Sequence, residues 1–158
     1  MSWTRNSEKA PDAAPAAIRA KALELLARRE HSRLELRQKL IQRGFASERV
    51  EPVLDRLIEE RLLDERRYAE LYACARADKG YGPLRIDREL RERGVPQEAV
   101  AAALTELADR WPTQLRALHR KRFKSLLPAD AAGRMQQTRV LRQHGFTLEQ
   151  IKQLFETV

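Results

Sequence analysis

The chain reads "LRERGVPQEAVAAAL" from Leu90 to Leu104. Fifty residues upstream it reads "LIQRGFASERVEPVL" (Leu40–Leu54), and fifty-one residues downstream "LRQHGFTLEQIKQLF" (Leu141–Phe155). Each copy places a leucine (Leu40, Leu90, Leu141) four residues before a glycine (Gly44, Gly94, Gly145) and an apolar side chain (Phe45, Val95, Phe146) directly after it. That spacing is a helix ending. Glycine enters the left-handed conformation without a Cβ clash, and the turn it makes folds the next residue back onto the leucine. Six residues past each glycine an apolar series starts: Val50, Val53, Leu54, Leu57; then Val100, Ala103, Leu104, Leu107; then Ile151, Leu154, Phe155, Val158. Spacing of i, i+3, i+4, i+7 is one face of a helix. Each glycine is therefore a corner between two helices.

The rest of each copy follows from local signals. Ser32 with Glu35 has the form of a capping box, and Gly82-Pro83 opens the equivalent helix in the second copy. Ser47 and Thr147 are expected N-caps, and Pro96 suits a first helical position. One more helix precedes these, with Ala22, Tyr72 and Phe123 in equivalent places, as are Leu25, Ala75 and Leu126. The expected fold is all-α. A flexible tail (residues 1–16) leads into three tandem three-helix repeats, at 17–60, 61–110 and 111–158. Three short helices bury too little apolar surface alone, so the repeats are expected to stack into an elongated, curved array. An ordinary nine-helix domain with coincidental spacing is the plainer alternative. The composition suits either: of 158 residues 42% are hydrophobic, Leu and Ala lead, and there are only 6 Gly and 7 Pro.

Signals for catalysis are missing. His31, His119 and His144 are scattered, and none stands at metal-ligand spacing from the single cysteine, Cys74. Cys74 reads as a small buried apolar residue, and His31 and His144 as surface or capping residues near helix ends. Gly80-Tyr81-Gly82 lacks the strand and the lysine of a phosphate-binding loop, and Glu59-Glu60 and Asp64-Glu65 read as surface charge. No enzyme, cofactor or metal is expected. One cysteine, with no long apolar run or hydrophobic leader, points to a reducing, cytoplasmic location.

Charge is the sharpest signal. Of the net +8, +6 falls between Trp111 and Val158, where nine Lys and Arg stand against three Asp and Glu. In "RWPTQLRALHRKRFKSLL", Arg116, Arg120 and Lys124 follow i, i+4, i+8 as one stripe, which Lys121 and Arg122 widen, and no acid lies between Asp109 and Asp130. Leu115, Leu118, Phe123 and Leu126 are expected inward. The next helix adds Arg134, Arg139 and Arg142. In the second repeat, by contrast, Arg85–Glu89, Arg88–Glu92 and Asp87–Arg91 read as ordinary exposed helix pairs. The eight unpaired cations are the expected contact with a nucleic acid or an acidic protein surface, a merely solvated basic face being the plainer alternative.

Two segments carry a family resemblance: "HSRLELRQKLIQRGF" in the first repeat, and "LLDERRYAELYACARADKGYGPLRIDRELRERGV" linking into the second. Together with the repeats they make the chain, from Ala17 to Val158, similar to the RecX family of bacterial regulators of the RecA recombinase. That family often has two aspartates and then an aromatic in the link; here Asp64, Glu65 and Tyr68 stand there. The resemblance implies a non-catalytic protein that binds RecA and its filaments on single-stranded DNA. It would lie in the filament groove and lower recombinase, ATPase and co-protease activity. Some members also bind DNA directly, which leaves a stand-alone DNA-binding protein as the alternative. A monomer is expected.

Overall fold

The computed structural model describes residues 14–157. Most of the expected tail, residues 1–13, and Val158 lie outside the described residues. Those described form nine α-helices: α1 Pro15–Arg28, α2 Arg33–Gln42, α3 Ser47–Glu59, α4 Glu65–Asp78, α5 Pro83–Glu92, α6 Gln97–Glu106, α7 Trp111–Phe123, α8 Ala131–Gln143 and α9 Leu148–Glu156. A short 3-10 turn, Ala108–Arg110, leads into α7. The helix starts at Pro15, so Pro15 and Ala16 belong to α1 and not to a tail; a proline at the first helical position has its φ already set.

The three repeated glycines do what their spacing implies. Gly44, Gly94 and Gly145 have φ of 92°, 75° and 100°. The amide after each donates to the leucine five residues back: Phe45 to Leu40 at 3.3 Å, Val95 to Leu90 at 3.1 Å, Phe146 to Leu141 at 3.3 Å. The glycine amides close the inner bond, to Ile41, Arg91 and Arg142, each at 2.9 Å. This is the Schellman pattern, which satisfies the carbonyls a helix leaves free at its C-terminus. Thr147 forms a full capping box with Gln150, and Ser32 accepts from the Glu35 amide. Ser47 differs from expectation. It is the first helical residue, Ala46 holds the N-cap position, and no side chain caps α3. Pro96 likewise sits one residue earlier than expected, at the N-cap of α6.

The contacts divide the chain into two compact units, which part within α4 between Tyr68 and Ala69. In the first unit α1, α2 and α3 pack mutually around one core. Ile18, Ala22 and Leu25 of α1, Leu36 and Leu40 of α2, and Val50, Val53, Leu54 and Leu57 of α3 are all buried there, with Phe45 and Leu63 closing its ends. His31 differs from the surface role expected of it, being 1% exposed. It sits between two partners: its Nδ1 donates to the Arg29 carbonyl at 3.0 Å, and its Nε2 accepts from Lys39 Nζ at 2.9 Å. Burial, then the nearby Arg29 charge, holds its pKa below the usual imidazole value, so the ring stays neutral.

The second unit holds α4 from Ala69 onward and the five helices after it, and glycine lets two of its corners touch at the backbone. The Gly82 amide donates to the His144 carbonyl at 2.7 Å, and the Leu84 amide to the Gly145 carbonyl at 2.9 Å. A Cβ on Gly82 would stand 2.6 Å from the Gly145 carbonyl carbon and oxygen. The start of α5 is thus pressed onto the α8–α9 corner. Ile86 and Leu90 of α5, Val100 and Ala103 of α6, Leu115 and Leu118 of α7, Leu141 of α8, Phe146 and Ile151 are buried in this unit.

Two expected equivalences fail. Ala75 is exposed, because α4 turns Ala69, Ala73 and Ala77, on an i, i+4, i+8 line, into the interior. Leu126 is 68% exposed, because α7 stops at Phe123 and the chain leaves the helix through left-handed Lys124 and Ser125.

A buried charge lies in this unit. Glu89 is 9% exposed. It accepts from Tyr72 Oη at 2.5 Å, from Arg76 Nη2 and Nε at 2.8 and 2.9 Å, and from Arg85 Nε at 3.1 Å. This corrects the reading of Arg85–Glu89 as an ordinary exposed pair. Arg88–Glu92, at 4.0 Å, and Arg91–Asp87, at 2.9 Å, are exposed pairs of the expected kind. Burial alone would raise the Glu89 pKa, but the bonds from Arg76, Tyr72 and Arg85 outweigh it and bring it down to about 2. Burial and the Glu89 contact push the Tyr72 hydroxyl up to about 12. Arg76 and Arg85 also lie over the Tyr81 ring, 3.9 and 4.3 Å from its centre.

Candidate partner-binding surface

The eight cations singled out by sequence lie on α7, α8 and the turn between them. On α7, Trp111, Leu115, Leu118 and His119 face inward and are buried. Helical geometry then puts Arg116, Arg120 and Lys121 on the opposite side, and all three are exposed. Three basic residues, Arg120, Lys121 and Arg122, occupy the last turn of α7, where positive charge meets the negative end of the helix dipole.

The stripe itself is shorter than the i, i+4, i+8 spacing implies. Lys124 lies past the end of α7 with φ 53°, so it does not continue the row of Arg116 and Arg120. A proline at position 128 and two left-handed residues end the helix here, and Gln137 of α8 holds the departing strand of chain by donating to the Leu126 carbonyl at 2.9 Å. Arg122 also leaves the row. Still exposed, it lies seven residues past Leu115, away from Arg116 and Arg120, and places Nη2 3.3 Å from His144 Nε2. His144 is the C-cap of α8, with Nδ1 donating to the Val140 carbonyl at 2.9 Å and its ring stacked on Tyr81. This contact brings the C-terminal ends of α7 and α8 together.

On α8, Leu141 and Gln137 face inward, and Gln137 Oε1 is 2.9 Å from Nε2 of buried His119. Arg134, Arg139 and Arg142 are exposed on the other side, beside Met135. The Arg134 guanidinium lies 5.1 Å from the centre of the Phe155 ring.

Electrostatics contrasts this surface with the arginines of the first unit. In the first unit Arg19, Arg29, Arg33, Arg37, Arg56 and Arg67 each sit on a carboxylate. Among the described residues, none of Arg116, Arg120, Lys121, Arg122, Lys124, Arg134, Arg139 and Arg142 makes an ion pair with a carboxylate. Asp130, the nearest acid in sequence, is engaged in capping α8, accepting from the Gly133 amide at 2.7 Å. Among the described residues this positive charge is uncompensated, and it faces solvent.

Among the described residues no cluster of His, Cys, Asp and Glu is placed to hold a metal ion, and no helix is long and apolar enough to cross a membrane. Cys74 is half-buried, not fully buried as expected, with Arg110 Nη1 3.2 Å from its sulfur. The Glu89 node was missed by sequence reading. Its signal was present: Tyr72 and Arg76 share one face of α4, as Arg85 and Glu89 share one face of α5, but nothing in sequence says that the two faces meet.

Family models match two segments, the "RecX, first three-helix domain" at residues 19–57 and the "RecX, second three-helix domain" at residues 64–104. These define the class: RecX-type proteins of tandem three-helix domains. A "Regulatory protein RecX" of Pseudomonas syringae pv. tomato is 46% identical over 140 residues, covering 89% of this chain and 90% of that one. One from Halorhodospira halophila is 45% identical over 140 residues, covering 89% and 87%. This chain belongs to the RecX family. Its fold matches a crystal structure of regulatory protein RecX with a TM-score of 0.79 at 21% identity, over 90% of this chain and 73% of the other. It also matches RecX from Lactobacillus salivarius, with a TM-score of 0.74 at 18% identity, over 91% and 97%.

Proposed function

We propose that this protein is a cytoplasmic, non-catalytic regulator that binds RecA and its filament on single-stranded DNA and lowers RecA activity in recombination and repair. Family membership supports the regulatory role. The observation that carries the contact itself is the set of exposed cations on α7 and α8 that make no ion pair with a carboxylate among the described residues. A RecA filament presents acidic protein surface and phosphate together, and both attract such a surface over a range that salt shortens. The three-helix repeats at 17–60, 61–110 and 111–158 serve in this reading as the scaffold, with the third as the contact.

The test is ATP hydrolysis by preformed RecA filaments. Stoichiometric addition of this protein is expected to slow it, less so as salt rises. Unchanged hydrolysis at every ratio sinks the proposal. The basic third repeat favours a second reading, a stand-alone DNA-binding protein. Tight, sequence-selective binding to DNA without RecA would support that instead. Counterion release makes DNA affinity itself salt-dependent, so selectivity and not salt slope is the discriminating observation.

A further inference from the structure

We infer that the outward face of α8 is a docking site for an acidic segment of a partner protein that carries an apolar side chain. The inference deepens the proposed function by naming the chemistry of what meets α8. An open trough of about 700 Å³ runs along this face; Arg134, Met135, Thr138, Arg139 and Arg142 line it. Met135 is 69% exposed at its middle. The helix has no acidic residue anywhere between Ala131 and Gln143, and its three arginines have no carboxylate partner among the described residues.

Three features select a protein segment over a phosphodiester strand. The centre of the face is a thioether, which gains nothing from a phosphate but adapts to a leucine or phenylalanine side chain. The arginine heads suit carboxylates, which they hold through paired N–H groups. And none of the large hydrophobic side chains exposed among the described residues is aromatic, so the stacking platform that single-stranded nucleic acid uses is absent. Arg134 is steadied over Phe155, so one of the three cations is held in place before any partner arrives. An acidic helix or extended segment with one apolar residue among its carboxylates would cover Met135 and pair with the arginines around it.

The probes are two fluorescein-labelled helical peptides and a labelled oligo-dT, each titrated by anisotropy into the full-length protein. One peptide repeats Glu and Leu at helical spacing; the other has Ser in place of every Leu. The Glu/Leu peptide is expected to bind, and the Glu/Ser peptide to bind roughly tenfold more weakly, since both carry the same charge and only the apolar contact differs. Met135→Glu is expected to weaken the Glu/Leu peptide at least about tenfold and Met135→Leu to retain it. The side chain is exposed, so a thermal melt of Met135→Glu should match the parent and exclude misfolding. Equal binding of the two peptides, or unchanged peptide binding by Met135→Glu, overturns the inference. So does oligo-dT that binds more tightly than the Glu/Leu peptide and is released by Met135→Glu. ATP hydrolysis by RecA stands apart from these titrations: a protein that slows it but fails the peptide test refutes only the α8 assignment.

Discussion

Gly145→Ala is expected to destabilise the second unit by about 3–5 kcal/mol, from strain and overpacking together. At φ 100° an L-residue is strained before any neighbour is considered. Its Cβ would also stand 2.7 Å from the Arg85 amide nitrogen and 2.9 Å from the Gly82 carbonyl oxygen. Both are backbone atoms, so no side chain can swing aside. The α5 start and the α8–α9 corner would have to part, and the amide bonds of Gly82 and Leu84 would go with them. Gly94→Ala provides the contrast. Gly94 ends α5 with φ 75° but is exposed, so only the left-handed strain applies, about 1–2 kcal/mol. Chemical denaturation of the two variants measures the difference. Equal losses would mean that the backbone contact between Gly82 and Gly145 contributes nothing.

Glu89→Gln is expected to cost about 3 kcal/mol, and to remove a pH dependence with it. The amide has the right size but no charge, and it leaves Arg76 and Arg85 facing one another over the same atom positions. The pH effect has a definite sign. The folded pKa of Glu89, about 2, lies below the ordinary 4.5. Its contribution is therefore fully present above pH 4.5 and is lost as the pH falls through 2, since the unfolded chain takes up the proton first. The Gln variant should lose stability at neutral pH and show a flatter acid limb. Glu92→Gln, on an exposed pair 4.0 Å from Arg88, should cost under about 0.5 kcal/mol and leave the acid limb as it was. If the two variants behave alike, Glu89 is not the buried node described.

These two residues also mark how far the sequence could be read. Helix corners are local events, so Gly44, Gly94 and Gly145 announced theirs through residues four before and one after. The apolar faces of α3, α6 and α9 were equally legible, because periodicity depends on one helix at a time. What sequence concealed lies between helices. Glu89 looks like any i, i+4 partner of Arg85 until α4 brings Tyr72 and Arg76 beside it. Gly82 reads as a helix opener, and its second role, touching Gly145, depends on the packing of α5 on a corner more than sixty residues away. His31 looked like a surface residue because its two partners are a carbonyl and a lysine, neither of which follows a recognisable pattern.

The candidate surface divides in the same way. That Arg116, Arg120 and Lys121 share the outer side of α7 follows from helical spacing alone. That Lys124 leaves the row does not, because the helix ends one residue before it, at a non-glycine stop that no glycine signals. Arg122 is exposed, and its contact with His144 of α8 depends on packing between helices that has no signal in the sequence. The arginines of α8 were found by their charge, whereas Met135 drew no attention, a single methionine being usual in a helix.

The most direct measurement of the central claim, that the uncompensated cations of the third repeat grip the RecA filament, is ATP hydrolysis by RecA filaments in the presence of an Arg116→Glu/Arg120→Glu double variant. Both side chains are exposed and neither pairs with a carboxylate among the described residues, so the variant should melt as the parent does. The parent is expected to slow hydrolysis and the variant to need at least about tenfold more protein to do so, a loss expected when two attractive charges become repulsive. Inhibition by the variant at the same concentration as by the parent would contradict the claim.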